Sequence, residues 1–294
     1  MFEKIKGNIL FHNFLKRPNI DEAYKMVGPE DSWYNTITKV HDSLAEIQKL
    51  PHEIWEMESH DGLKMKAIFY PGTSDKTAVW VHGYTSHAER ESAFPALFYH
   101  RLGFNVLIPY QRAHGLSEGK YISFGALEHD DMLRWVDQIN RHNPKGQILI
   151  HGLSMGGGIV LGLATAEMEN VKCLVVDAPN ESIEGVLRGV TGHVFKQNAV
   201  RIYPYVRRRF IKAFGCDPAD FDRTRTMVFG RYPMLLSAGE KENMHKQLEF
   251  LKYQNPCETE ILILPGCDHG NGMYKQTEMY QNAIKEFIGK YITD

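Results

Sequence analysis

The regular alternation of short apolar runs with helical patterns constrains the fold of this chain more than any other feature. Apolar runs lie at residues 77–81, 105–110, 147–150 and 171–176, and helical patterns at 88–101, 124–142 and 156–168 separate or follow them. Runs without a polar face are typical of strands that are buried on both sides in a parallel sheet. The alternation therefore predicts an α/β fold, with a mostly parallel sheet between two layers of helices.

The pattern extends in both directions along the chain. Strands are predicted at 52–58 and 63–70, and the Asp61-Gly62 pair between them is typical of a tight hairpin turn. After residue 231 the alternation resumes, with strands at 232–237 and 258–264 and helices at 243–253 and 274–291. We therefore expect a twisted sheet that begins with an antiparallel hairpin and continues with parallel strands.

Two segments lie outside this alternation. Residues 1–50 precede the first strand, and we interpret them as a helical leader packed on the main domain (51–294) rather than as a dimerisation element. The leader contains one amphipathic helical pattern: Trp33, Ile37, Val40, Leu44 and Ile47, with Asp31 or Ser32 as the N-cap and Pro51 as the stop. Residues from about 180 to 231 have no clear strand and are predicted to form a helical cap over the sheet's carboxyl edge, where α/β proteins bind ligands.

Composition and charge exclude several classes of function. The 294 residues include 34 Lys and Arg against 36 Asp and Glu, and a net charge of −2 does not favour nucleic acid or anionic membranes as partners. The sequence has neither a run of about 18 apolar residues for a membrane span nor an apolar secretory signal. Its four cysteines form no C-x-x-C pair, which favours reduced thiols. We therefore expect a soluble cytoplasmic protein.

A G-x-S-x-G pattern at the end of one predicted strand indicates a reactive serine. The stretch Gly152-Leu153-Ser154-Met155-Gly156 joins the strand at 147–150 to the next helix, so Ser154 lies on a sharp strand-to-helix turn. Glycines two positions to either side leave room for close backbone packing, and free N–H groups of the helix N-terminus point to the same place. Ser154 is therefore the predicted nucleophile.

A serine hydroxyl needs a base to remove its proton, and the base needs an acid to orient it. His269 follows the last predicted strand, between Gly266 and Gly270, and is the predicted base. Glu242, after the strand at 232–237, is the predicted acid, and Glu240 and Asp177 are the alternatives. The backbone N–H groups of Tyr84 and Met155 are the predicted donors of an oxyanion hole, because both follow strand ends.

These residues resemble the α/β-hydrolase superfamily over nearly the whole chain, from residue 52 to 291. The resemblance is carried by the stretches VHGYT (81–85), RAHGLSEG (112–119) and GLSMG (152–156). The chain is most similar to bacterial esterase-like hydrolases and to relatives of acyl-processing peptidases. The resemblance implies that Arg112, His114 and Ser117 have structural roles, and that Glu242 stands where the family commonly has an aspartate.

The predicted function is hydrolysis of a carboxylic ester, or of a related acyl bond, through an acyl-serine intermediate on a Ser-His-Glu catalytic triad. The expected partner is a small-molecule acyl ester, and no cofactor is expected. The alternatives are an acyltransferase, thioesterase or peptidase that uses the same triad, and a non-catalytic binding protein on this fold.

Two charged stretches bear on the chemistry. Glu128-His129-Asp130-Asp131 is interpreted as solvated acids at a helix start rather than as metal ligands, and no H-E-x-x-H pattern is present. Residues 185–216 contain no acidic residue but include Lys196, Arg201, Arg207, Arg208, Arg209 and Lys212. Solvated basic faces of amphipathic cap helices are the favoured interpretation. The sharper hypothesis is that the cap admits an acyl chain on its apolar side and attracts an anionic substrate group with its arginines.

Overall fold

The computed structural model describes residues 2–19, 33–86 and 88–293 of the chain. Within these ranges, eight strands form one sheet: β1 (Glu53–Glu58), β2 (Lys64–Tyr70), β3 (Lys76–Val81), β4 (Asn105–Pro109), β5 (Gln147–Leu153), β6 (Val171–Asp177), β7 (Met234–Gly239) and β8 (Thr259–Leu264). The helices are α1 (Phe2–Leu15), α2 (Ile37–Ile47), α3 (Ala93–Arg101), α4 (Glu128–His142), α5 (Met155–Leu163), α6 (Ile183–Phe195), α7 (Ala199–Phe214), α8 (Arg223–Thr226), α9 (His245–Gln254), α10 (Gly272–Lys275) and α11 (Thr277–Ile288).

The sheet order is β1-β2-β4-β3-β5-β6-β7-β8. β2 pairs antiparallel with both β1 and β4, and all the other neighbours are parallel. Gly62, in the turn between β1 and β2, has a φ of 82°, a conformation that favours glycine. The predicted mostly parallel sheet that begins with an antiparallel hairpin is therefore confirmed.

The side chains of alternate residues in the central strands pack into two separate hydrophobic cores. Val79 and Val81 of β3 belong to a buried cluster with helices α4 and α5, whereas Ala78 and Trp80 belong to a cluster with α2, α3 and α11. Because successive side chains of a strand point to opposite faces, the two clusters lie on the two sides of the sheet. This is the predicted arrangement of helices on both faces.

Two helices begin later than the sequence patterns predict. The helix predicted from residue 88 begins at Ala93, and the one predicted from residue 124 begins at Glu128. In the second case Phe124 and Gly125 have φ values of 55° and 104°, which a right-handed helix excludes. The Glu128 carboxylate accepts hydrogen bonds from the N–H groups of Ser123 and Gly125, so it closes a turn in front of the helix.

The leader contacts two different parts of the domain. Its amphipathic pattern forms helix α2, which buries Val40 and Ile47 against α3 and follows a short 3₁₀ turn at Tyr34–Thr36. The predicted N-caps, Asp31 and Ser32, lie outside the described residues. Helix α1 lies in the leader that was predicted to be helical, although no periodic pattern marked this helix. It packs along α7 of the segment inserted between β6 and β7.

The close approach of α1 and α7 depends on a residue without a side chain. A Cβ atom on Gly7 would lie 2.7 Å from Cβ of Tyr205 and 3.3 Å from the Ile202 carbonyl oxygen. Gly7 therefore lets the two helix backbones come close together. In the same interface the Arg209 guanidinium lies 5.0 Å from the ring centroid of Phe11.

We expect Gly7→Ala to lower the free energy of unfolding by about 1–3 kcal/mol, because the added methyl group forces α1 away from α7. The matched control is Gly189→Ala on the exposed side of α6, where an added Cβ meets no described heavy atom within 4 Å. The control should gain up to about 1 kcal/mol from helix propensity. Urea unfolding of both variants measures the difference, and equal changes would contradict the close packing.

Candidate active site

Ser154 lies on a strained turn between β5 and α5. Its φ of 57° and ψ of −114° are unfavourable for a residue with a side chain, and such strain costs on the order of 1–3 kcal/mol. A Cβ on Gly156 would lie 1.9 Å from the Val81 carbonyl oxygen, and one on Gly152 would lie 2.3 Å from the Gly156 carbonyl oxygen. Both glycines are therefore required for the turn, and the Ser154 N–H donates to the Asp177 carbonyl at 2.8 Å.

Three predicted site residues form one hydrogen-bonded chain. The Oγ atom of Ser154 lies 2.8 Å from Nε2 of His269, and Nδ1 of His269 lies 2.5 Å from Oε2 of Glu242. These distances allow a proton to pass from the serine hydroxyl to the imidazole, while the carboxylate fixes the ring orientation. The His269 side chain is 57% exposed and that of Glu242 only 7%.

Glu242 reaches His269 because the loops after β7 and β8 pack tightly. A Cβ on Gly239 would lie 2.5 Å from the Cys267 carbonyl oxygen, and the Lys241 N–H donates to the same carbonyl at 3.1 Å. The short turn that follows β7 then places the second carboxylate oxygen of Glu242 2.8 Å from the Gly239 nitrogen. One carboxylate oxygen of Glu242 therefore accepts a hydrogen bond within its own loop, and the other accepts one from His269.

The two alternative acids have other partners. The Glu240 carboxylate accepts a hydrogen bond from the Gly266 N–H at 2.8 Å. The buried Asp177 carboxylate accepts bonds from the hydroxyl groups of Ser237 and Tyr280, both at 2.9 Å. Burial also raises the pKa of Asp177 to about 6. Of the three candidate acids, Glu242 is the one whose described hydrogen bonds include His269.

The proton affinity of His269 is set mainly by this contact. The hydrogen bond that His269 donates to the Glu242 carboxylate raises the pKa of His269 above its ordinary value, although desolvation acts in the opposite direction. A raised pKa makes the imidazole a stronger base and stabilises the imidazolium form after proton transfer.

Tyr84 and Met155 lie at the positions expected of backbone donors. Met155 is the first residue of α5, where helix N–H groups have no intrahelical partner, and Tyr84 lines the same cavity as Ser154. The Tyr84 hydroxyl donates to the Phe14 carbonyl at 2.5 Å, at the end of α1. Its ring packs against Phe14 and Phe124, with ring centroids 5.1 and 5.2 Å apart. The loop that carries Tyr84 is thus held by the leader.

A cavity of about 250 Å³ opens beside Ser154 and His269. Its exposed surface is mostly apolar, although polar residues also line it. The described lining residues come from the leader, from the loop after β3, from the loops that carry Ser154 and His269, and from α10. The leader contributes Trp33, Thr36, Ile37 and Val40. The sequence patterns did not predict this role, although these positions share the apolar face that was assigned to domain packing.

The inserted helices do not reach this cavity. Among the described residues that line it, none belongs to α6, α7 or α8. The Arg207 guanidinium forms an ion pair with Asp217, and Arg209 lies over the ring of Phe11. The hypothesis that the basic residues 196–212 attract a substrate group therefore finds no support in the contacts of these two arginines.

The acids at the start of α4 differ from the expectation. Glu128 and Asp131 are 1% and 3% exposed, so the interpretation of this stretch as solvated is wrong for both. The Asp131 carboxylate accepts from Arg112 Nε at 2.7 Å, and Arg112 also donates to Asp61 at 3.0 Å, in the turn between β1 and β2. Burial is tolerated because each carboxylate has polar partners within reach.

Arg112, His114 and Ser117 are buried in the loop that follows β4. The Ser117 hydroxyl donates to the Tyr110 carbonyl at 2.6 Å, and the ring of His114 lies 4.8 Å from that of His82, beside the loop of Tyr84. None of the three belongs to the described lining of the cavity. These contacts fit the structural role that the resemblance implies.

Known proteins resemble this chain in sequence over about half of its length. A family model described as serine aminopeptidase, S33, matches residues 72–213. The curated protein YqkD of Bacillus subtilis, named as uncharacterized, is 32% identical over 142 residues, which are 47% of this chain and 46% of that protein. A multifunctional-autoprocessing repeats-in-toxin protein of Vibrio vulnificus is 30% identical over 138 residues, or 46% of this chain and 3% of that protein. The chain thus spans less than half the length of these two relatives.

Solved structures share the fold over most of the chain. The Pyrococcus furiosus esterase PF2001 is 24% identical, with a TM-score of 0.65, over 84% of this chain and 94% of the other. Est1E of Butyrivibrio proteoclasticus, solved with ferulic acid bound, is 21% identical, with a TM-score of 0.62, over 82% and 100% of the two chains. The chain therefore has the fold of the α/β hydrolases, and the match to the family model supports this likeness over residues 72–213. No helix in the described part of the chain is long and apolar enough to cross a membrane.

We expect Glu242→Gln to lower kcat/KM by about 10³- to 10⁴-fold, because an amide neither fixes the imidazole tautomer nor stabilises the imidazolium. Loss of the carboxylate also lowers the pKa of His269, so the acidic limb of the pH profile should move to lower pH. Steady-state kinetics from pH 5 to 9 measure both effects.

Glu240→Gln is the matched control, two residues away, and should leave kcat/KM within about threefold because the described hydrogen bond of the Glu240 carboxylate goes to the Gly266 N–H and not to His269. Inactivity of this variant beside an active Glu242→Gln would reverse the assignment of the acid.

We expect Tyr84→Phe to lower kcat by roughly tenfold while the backbone N–H remains, because the bond to Phe14 that fixes the loop is lost. Tyr205→Phe on α7 is the control and should retain full kcat. Thermal unfolding separates the two possible roles: an unchanged kcat with a lowered Tm would mean that the Tyr84 hydroxyl only stabilises the fold.

Proposed function

We propose that this protein is a serine hydrolase that cleaves carboxylic esters through an acyl-serine intermediate. The observation that carries the proposal is the unbroken chain from Ser154 through His269 to Glu242 beside an apolar cavity. The esterases that share the fold support the same conclusion at the level of reaction class.

In the first half-reaction His269 removes the proton of Ser154 as its oxygen attacks the ester carbonyl carbon. The negative charge that develops on the carbonyl oxygen is stabilised by the N–H groups of Tyr84 and Met155. Glu242 stabilises the imidazolium, which then donates its proton to the leaving alcohol as the carbon–oxygen bond breaks. The acyl group remains on Ser154.

In the second half-reaction water replaces the alcohol. The exposed side chain of His269 lets water approach from solvent and accepts its proton as the water oxygen attacks the acyl carbon. Collapse of the tetrahedral intermediate releases the carboxylic acid and returns the proton to Ser154. Each step uses only groups of the chain and water.

The test is labelling with a fluorophosphonate, which reacts only with an activated serine. Mass spectrometry should place one adduct on Ser154 in the native protein and none in Ser154→Ala. Turnover of p-nitrophenyl butyrate should fall by at least about 10⁴-fold in the same variant.

Matched esters, thioesters and amides of one acid then separate the hydrolase from its alternatives. Faster turnover of the thioester or amide would replace the ester assignment, and product formation only with an added alcohol would indicate acyl transfer. A protein that gives no Ser154 adduct would instead be a binding protein on this fold.

A further inference from the structure

The cavity beside Ser154 is lined both by the loop of His269 and by the leader. The leader contributes Ile37 and Val40 of helix α2 and Trp33 just before it. A leaving alcohol must receive its proton from His269, whose side chain is 57% exposed, and therefore departs past this side chain into solvent. The apolar lining at Ile37 and Val40 is left for the other substituent of the ester carbonyl, the acyl chain.

The leader wall is held in place by contacts to the last part of the chain. Lys39 donates to the Tyr274 carbonyl at 2.6 Å and to the Thr277 hydroxyl at 3.0 Å. The Trp33 ring lies edge-on to Tyr274, with centroids 5.5 Å apart. A Cβ on Gly270 would lie 3.1 Å from the Trp33 ring, so the loop of His269 and the leader touch. The wall is thus fixed directly beside the catalytic loop.

The apolar face of α7, in the inserted segment, is covered by α1 and does not face the cavity. Ile202 and Val206 of α7 belong to the same buried cluster as Leu10 and Phe11 of α1. The close contact at Gly7 leaves no space between these two helices. This apolar face of the insertion is therefore already covered by a segment of the chain itself.

The size and charge of the cavity indicate the kind of acyl group. A cavity of about 250 Å³ limits the length of the acyl chain that it can hold. The charged residues among its described lining, Arg90 and Glu91, form an ion pair at 3.0 Å. An uncharged acyl chain therefore fits better than a dicarboxylic one.

We propose that the leader forms a wall of an acyl-binding site, and that Ile37 and Val40 limit the length of the acyl chain that the site accepts. This inference rests on the proposed function, because it names the substrate class of the same site. It assigns selection of acyl length to residues 33–40, not to the helices inserted between β6 and β7.

Ile37 is the position for the test because it lines the cavity and is only half-buried. Ile37→Ala lengthens the cavity, and Ile37→Trp shortens it. The matched controls are Val200→Ala and Val200→Trp, at a position of α7 that is 82% exposed and outside the described lining. Val200 variants should keep the chain-length profile of the native protein.

The measurement is kcat/KM for p-nitrophenyl esters of two to twelve carbons, with active sites counted by fluorophosphonate titration. The ratio of decanoate to butyrate should rise about tenfold in Ile37→Ala, and that of octanoate to acetate should fall about tenfold in Ile37→Trp. A second panel, of butyrate esters with lengthening alcohols, should show the same profile in all variants. Unchanged acyl ratios, or a change that follows the alcohol, would overturn the inference.

A binding measurement keeps this outcome separate from that of the proposed function. In the Ser154→Ala background, thermal shift with methyl ketones of four to twelve carbons reports occupancy of the cavity without any reaction. If the native protein shows no turnover but the ketone profile changes in the Ile37 variants, the proposed hydrolase function is refuted. The proposal that the leader forms a wall of the binding site is then retained. A ketone profile that is the same in both Ile37 variants would refute the wall.

Discussion

The contact of Gly156 with the carbonyl of Val81 is the constraint on which the rest of the site depends. It brings the N-terminus of α5 directly against the end of β3, with no side chain between them. The chain can then turn from β5 into α5 only by placing Ser154 at a positive φ, and this turn lifts the hydroxyl above the sheet edge. The ends of β3 and β5, which pair in parallel, thereby lie side by side next to Ser154. The energetic cost of this backbone strain is offset by the two cores that hold the sheet from both sides.

Much of this arrangement was predictable because it depends on local patterns. Strands buried on both faces have continuous apolar runs, and a G-x-S-x-G stretch between a strand and a helix indicates the turn at Ser154. His269 and Glu242 were predictable because both follow strand ends at the same edge. Glycine and polar residues near each predicted boundary marked these ends.

Other features depend on contacts between distant segments. The choice of Glu242 over Glu240 follows from the fit of Gly239 against Cys267, which neither loop indicates by itself. The late start of α4 follows from positive φ values at Phe124 and Gly125, and the burial of Asp131 follows from its pairing with Arg112. The apolar face of α2 was visible in the sequence, but the same periodicity describes a helix that packs on a core and one that lines a cavity.

The position of the leader has a consequence for the order in which the chain folds. Segments near the N-terminus are synthesised first, yet α1 packs on α7, and α2 is held by residues 274 and 277. The apolar residues of the leader therefore remain uncovered until residues 274–277 have been synthesised. Strands β3 to β6 and the turn at Ser154 need no such delay, because residues 76–177 contain all of them. A nascent chain would thus form the turn at Ser154 before the leader reaches its place beside the cavity.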